Sequence, residues 1–291
     1  MSTSTLTRPG ARAAVPSKGG DRRPRYGIYF IALLLVGVIV APIAYIIIGG
    51  FRSNAEITQD PAGFPTQWRI ENYANVLGSP VFWREVGNST IAAVATTLLV
   101  VVLGVMAAYV LARYRFKGRN ALFSVFTAGL MFPMTVAITP LYILVRSLGL
   151  MNSLAGVVIP QVGFQLSMTI IILVPFLRTI PTELEEAAFM DGCSRLGFFW
   201  RMVIPLSMPG VVTVGILAFI ASWNSYMLPL FILNSESSYT LPLGVQAFAS
   251  QYSVDTAKVL AFTSLSMIPA LVFFSLFERR IVGGLTGAVK G

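Results

Sequence analysis

Three carboxylates crowd one short polar stretch of this chain. Glu185, Glu186 and Asp191 are set around Ala187, Ala188 and Gly192, and the stretch runs on to Ile204 and Pro205. Acids at the start of a helix complement its dipole, and the paired alanines form a small-residue knob that another protein can approach closely. The chemistry on offer is docking rather than catalysis. There is no histidine in the chain, which removes histidine metal ligands and the commonest general base. Cys193 is the single cysteine, so no disulfide framework, zinc knuckle or iron–sulfur site can be assembled.

The elements that must position this stretch are apolar. Of 291 residues, 55% are hydrophobic and only 11% are charged, against about 25% charged in a soluble domain. A membrane-spanning helix needs about 20 mostly apolar residues. Six stretches qualify: Tyr29–Gly50, Thr90–Leu111, Leu122–Val145, Ala155–Leu177, Val211–Leu233 and Ala257–Phe277. The expected fold class is an all-α integral membrane protein with six transmembrane helices. The apolar run of the first stretch is too long for a signal-peptide core, and it reads as an uncleaved span.

The net charge of +9 follows topology rather than nucleic-acid binding. Basic residues gather in the N-terminal segment (Arg8, Arg12, Lys18, Arg22, Arg23, Arg25), around Arg113, Arg115, Lys117 and Arg119, and at Arg178, Arg195 and Arg201. Short basic loops stay cytoplasmic. Both termini, the 112–120 loop and the 178–208 loop are therefore expected inside, and Phe51–Gly87 and Asn234–Thr256 outside. No basic face interleaved with aromatics suits nucleic acid. The expected organisation is a disordered basic segment over 1–25, a first span and outer loop over 26–85, a permease core over 86–277 and a cytoplasmic tail over 278–291.

The 178–208 loop reads as an elbow. Thr182 is expected to cap a helix, with Glu185 closing a capping box. Gly192 falls where left-handed backbone would end that helix. Ser194 is expected to cap a second helix, with apolar positions at Leu196, Phe199, Trp200 and Val203, which Pro205 and Pro209 would end before the fifth span. A loop helix that merely lies on the membrane surface would show the same pattern.

The run Glu186-Ala187-Ala188, then Gly192, then Met202-Val203-Ile204-Pro205 resembles the Glu-Ala-Ala signature of membrane subunits of bacterial ATP-binding cassette importers that work with a solute-binding protein. Met202 and Ile204 replace an isoleucine and a leucine and keep the apolar character. Pro140-Leu141-Tyr142, Leu148-Gly149-Leu150, Trp223-Asn224 and the ending Gly284–Gly291 extend the likeness to the maltose-type permeases of carbohydrate uptake, specifically the smaller of the paired membrane subunits. The resemblance implies a type-I importer fold in a bacterial plasma (inner) membrane, with a cytoplasmic coupling helix. It implies that Glu185, Glu186, Ala187, Ala188, Asp191, Gly192, Ile204 and Pro205 meet an ATPase subunit. It further implies a related membrane subunit, two ATP-binding subunits that hold ATP and magnesium, an extracytoplasmic solute-binding protein and a sugar cargo.

The chain itself is expected to bind no cofactor, because the glycine-rich ending Gly283–Lys290 has the wrong spacing for a phosphate-binding loop. Two other classes fit the residues less well. An ion-coupled transporter would bury ionisable residues in its spans, and the interiors of these six have none. An enzyme acting on lipid-linked sugars would need converging carboxylates, whereas Glu56, Asp60, Glu71, Glu85, Glu236 and Asp255 are scattered. For the translocation path, Trp223, Asn224, Ser225 and Tyr226 offer the aromatic faces and amides that recognise sugars, and Gln165 adds an amide in the fourth span. Interhelical hydrogen bonding is the alternative use of such residues.

Overall fold

The structure, a computed structural model, describes residues 26–248 and 255–289. The basic segment 1–25 and the final two residues of the expected tail lie outside the described residues. All regular elements described are helical. They are α1 (Tyr26–Gly49), α2 (Asn54–Gln59), α3 (Ile70–Leu77), α4 (Pro80–Arg113), α5 (Arg119–Met131), α6 (Met134–Ser147), α7 (Leu154–Arg178), α8 (Thr182–Met190), α9 (Arg195–Phe198), α10 (Ile204–Trp223), α11 (Met227–Ile232), α12 (Leu241–Gly244) and α13 (Thr256–Val289). A turn of π-helix, Phe199–Val203, joins α9 to α10. The chain divides into one compact unit ending at Ile43, which carries most of α1, and another from Ala44 onward. In the first unit, side chains from Ile28 to Val40 are exposed, as a helix facing lipid or another subunit requires.

Among the described residues, five helices are long and apolar enough to cross a membrane: Gly27–Gly49, Pro80–Arg113, Leu154–Arg178, Arg195–Trp223 and Thr256–Phe277. A bent pair, α5 and α6, is together apolar enough for a sixth, as a broken span or a re-entrant loop. α5 and α6 meet at 105°, so the expected span Leu122–Val145 is not one rod. Pro133 caps α6 and has no amide hydrogen to give, and Phe132 before it is extended (φ −86°, ψ 111°), as the residue before a proline prefers. The fifth span also differs from expectation. Its helix starts well before Val211 and stops at Trp223, and Asn224–Tyr226 break the apolar run before α11.

In the second unit, α4 packs chiefly against α7 and then α10. Small residues let these backbones approach, which is the main source of helix affinity in lipid. Ala93 and Ala108 are fully buried, and a methyl added at Gly104 would strike Thr169 of α7. Mid-bundle, Ser222 donates to Gln161 Oε1 at 2.6 Å and Thr96 donates to the same oxygen at 3.1 Å. One amide thus ties α4, α7 and α10 together.

At the opposite end from the elbow, the segment after α1 is locked by two residues. Arg52 is 2% exposed and donates to the carbonyls of Glu56 (2.7 Å), Asp60 (2.6 Å) and Pro61 (3.2 Å). The Glu56 carboxylate accepts from the Ser53 amide at 2.8 Å, from the Thr66 amide at 3.0 Å and from the Thr66 hydroxyl. The Ser53 amide and these Thr66 donors hold its pKa down, from the ordinary 4.5 to about 2. The contribution of Glu56 to stability is therefore complete above pH 4.5 and fades as pH falls toward 2. We expect Glu56→Gln to lower thermal stability at pH 7, with the gap from the parent protein closing on acidification across that window. A gap independent of pH would refute the role given to the carboxylate.

Candidate functional site

The polar stretch folds into the expected elbow, with its details rearranged. α8 begins at Thr182, but Pro181 occupies the cap position and no side chain caps it. Thr182 is one residue too far into the helix to serve, so the expected capping box does not form. Glu185 turns instead to α4 and meets Arg113, Nε to Oε2 at 3.0 Å. The Arg113 guanidinium also donates to the carbonyl of Ile180 at 2.7 Å and to that of Pro181 at 3.3 Å. The Arg113 side chain is 6% exposed and that of Glu185 19%. One planar cation thus fixes the entry of α8 to the end of a membrane span, a geometry that suits arginine and not lysine.

The exit of α8 matches expectation. Gly192 has φ +80°, its amide donates to Phe189 O at 3.0 Å, and the Cys193 amide donates to Ala188 O at 2.9 Å. These two bonds form a Schellman motif. Ser194 then caps the next helix by accepting from the Gly197 amide at 3.1 Å.

The second helix buries two of its four expected apolar positions. Phe198, Phe199 and Val203 are buried, whereas Leu196 and Trp200 are exposed. Pro205 and Pro209 do not end it. Pro205 directly follows the π-turn Phe199–Val203, where the Ile204 amide bonds back to Phe199 O, and α9, the π-turn and α10 run on without a break.

Between these anchors lies a free face. Glu186, Ala187, Asp191 and Gly192 are exposed, and Met190 projects with 88% of its surface open. Ala188 packs inward against the cluster of Leu173, Leu177 and Phe198. Ile204 is half-buried and Pro205 exposed beyond the elbow. Sequence reasoning missed Arg113 and Met190. Arg113 was visible only as a topology charge, and nothing local pairs it with a residue so distant in sequence.

The candidate path residues separate. Trp223 is buried and stacks on Phe219 at 5.8 Å between ring centroids. Trp223 and the exposed Asn224 line a cavity of about 410 Å³ together with Thr263 and Ser266 of α13. Ser225 and Tyr226 are not among its lining residues, and the Tyr226 hydroxyl accepts from Gln246 at 3.3 Å. Gln165 is half-buried away from this cavity. The amide that joins the helices is Gln161. Among the described residues, no group of three or more acidic, cysteine or histidine side chains could hold a metal ion.

Residues 100–282 match the family model described as the binding-protein-dependent transport system inner membrane component. The chain is 34% identical over 278 residues to the diacetylchitobiose uptake system permease protein NgcG of Streptomyces coelicolor, covering 95% of this chain and 91% of that one. It is 35% identical to the trehalose transport system permease protein SugB of Mycobacterium tuberculosis, covering 94% of this chain and all of the other. In three dimensions it is similar to a bacterial ABC transporter involved in the import of the acidic polysaccharide alginate, with a TM-score of 0.75, 24% identity and coverage of 87% and 95%. A second structure of the alginate transporter, in complex with an alginate pentasaccharide-bound periplasmic protein, matches with a TM-score of 0.58 at 12% identity over 88% and 92%. These two likenesses show the fold.

Arg113→Ala is expected to release the entry of α8 by about 2 kcal/mol, between the values for exposed and buried pairs. Hydrogen exchange of amides 184–189 should then quicken roughly thirtyfold, and Arg113→Lys should recover only part of the protection. Unchanged exchange in Arg113→Ala would show that the elbow is held by other means.

Proposed function

Because this chain belongs to the family of binding-protein-dependent transport inner membrane components, we infer that its cargo is a sugar or oligosaccharide and that α8 is where a separate ATPase engages it. The chain is a permease subunit of an ABC importer, a transport component rather than an enzyme. It is an inner-membrane protein, and a solute-binding protein is its partner; in this reading that partner docks on the face remote from the elbow. The relatives named above carry diacetylchitobiose and trehalose, which supports the assignment of a sugar cargo.

The observation that carries the coupling assignment is the α8 elbow. A nine-residue helix is locked at its entry by Arg113 and at its exit by Gly192, while Glu186, Ala187, Met190, Asp191 and Gly192 stay uncovered. A helix held at both ends passes on a displacement that a loose loop would absorb. In this reading two ATPase subunits bind ATP and magnesium, one seated on this elbow and the other on a related membrane subunit. Basic residues Arg113, Arg115, Lys117, Arg119, Arg178, Arg195 and Arg201 flank the elbow, which supports a cytoplasmic position for it. The cavity at Trp223 and Asn224 is the part of this chain assigned to the path. The indole is packed and the amide is free to meet sugar hydroxyls.

The test is uptake into proteoliposomes containing the assembled complex. Accumulation of labelled oligosaccharide should follow ATP on the elbow side and ignore imposed ion gradients; accumulation driven by a gradient without ATP would overturn the reading. Gly192 has open space around its Cα, so substitution there acts through backbone strain alone. Gly192→Val should cost about 1–2 kcal/mol and cut ATPase assembly and uptake. Gly192→Asn, which tolerates the same backbone, should keep most of both. Equal behaviour of the two variants would remove Gly192 from the coupling surface.

A further inference from the structure

A groove of about 530 Å³ runs along the end of α4 beside the elbow. Met106 and Val110 of α4 line one side, and Leu196 and Trp200 line the other. All four are exposed. The floor is aromatic: Tyr109 lies 5.0 Å from Phe199 and 5.7 Å from Tyr114 between ring centroids. Arg195 completes the lining.

The groove opens sideways. Met106 precedes Arg113 by about 10 Å along the helix axis at about 1.5 Å per residue. Met106 and Val110 also continue an exposed apolar stripe that begins with Leu99 and Leu103 at helical spacing. The groove thus starts at the polar end of a span and runs onto its apolar side.

That placement selects the occupant. A soluble subunit can meet the free face of α8, but a surface that continues down the side of a span lies in hydrocarbon. Another transmembrane helix packs best where small residues let backbones approach, and the small residues Ala93, Gly104 and Ala108 of α4 are already buried in the bundle. The groove offers large side chains instead, to which a flexible acyl chain can conform. Trp200 and Tyr114 at its mouth are residue types enriched where hydrocarbon meets water.

Arg195 sets the head of the guest. Its guanidinium lies 5.7 Å from the centroid of the Tyr114 ring, and among the described residues it makes no ion pair. Asp191, the acid nearest to it in sequence, does not reach it. A cation at the edge of the hydrocarbon attracts an anionic headgroup. A zwitterionic head carries an ammonium beside its phosphate, which weakens the same attraction.

We propose that this groove binds one anionic phospholipid of the elbow-side leaflet, with its phosphate on Arg195 and an acyl chain along Met106, Val110 and Trp200. The site depends on neither the cargo nor the ATPase, so it stands or falls apart from the coupling role of α8.

The test uses the assembled complex in nanodiscs of phosphatidylglycerol and phosphatidylcholine, with bromine on the chains of one lipid or the other. Bromine quenches an indole that it touches, and the Trp200 signal is the difference between wild type and Trp200→Phe. Phosphatidylglycerol should quench Trp200 at an about fivefold lower mole fraction than phosphatidylcholine. Arg195→Gln should erase that preference and leave Trp200 quenchable, whereas Arg201→Gln, outside the groove, should keep it within about twofold. Trp200 that neither lipid quenches would be covered by protein, which overturns the proposal. Equal quenching by both lipids in wild type, an intact preference in Arg195→Gln, or an equal loss in Arg201→Gln overturns it as well. If Arg195→Gln fails to assemble, salt decides on the wild type. The preference should vanish between about 0.05 and about 1 M salt, and one that survives refutes the headgroup contact.

Discussion

The Arg113 guanidinium is the joint on which the functional architecture turns. It closes the longest of the spans confined to the second unit and holds the chain where the elbow begins, through two carbonyls and the Glu185 carboxylate. Three directed bonds to one planar group fix orientation as well as distance. Little water reaches the pair, so solvent screens it less than an exposed bridge. Without this joint the entry of α8 would hang from Thr179 and Ile180, and only its exit, through Ala188 and the Gly192 turn, would still tie it to the bundle.

The bundle that receives the elbow is assembled by fit. Lipid gives apolar side chains no reason to prefer one another, so close approach at Gly104 and Ala108 and the hydroxyl–amide group Thr96–Gln161–Ser222 carry the specificity. Nε2 of Gln161 is buried with no partner among the described residues, although Oε1 accepts twice. Departures from regular helix occur at the 105° bend at Pro133, the π-turn before α10 and the break at Asn224.

Much of this was legible in the residues. The all-helical class and most of the spans follow from apolar run length alone. The helix stop at Gly192 and the cap at Ser194 were readable because each rests on one residue and its immediate neighbours. What failed was decided elsewhere. Thr182 lost its capping role because Pro181 took the cap position, and Glu185 paired instead with Arg113, a residue distant in sequence. Pro205 looked like a terminator because a proline removes a donor, but the widened π-turn just before it carries the helix past that point. Val211–Leu233 looked like one span because hydropathy does not register the Asn224-Ser225 break. Trp223 and Asn224 stood out because both are polar-tipped in an apolar run, and both line one cavity. Gln165 was indistinguishable from Gln161 by type, and only the helix face separates them.

The continuity of α9, the π-turn and α10 has a geometric result. Arg195–Trp223 is a single rod of 29 residues, roughly 43 Å long at about 1.5 Å per residue. One end starts beside the Ser194 cap and the other stops at the cavity lined by Trp223 and Asn224. A tilt of about 5° at the near end sweeps the far end through an arc of roughly 4 Å, comparable to the thickness of a sugar ring. The helix therefore has mechanical gain built into it, and a small rotation at the elbow shifts the surroundings of Asn224 by that distance.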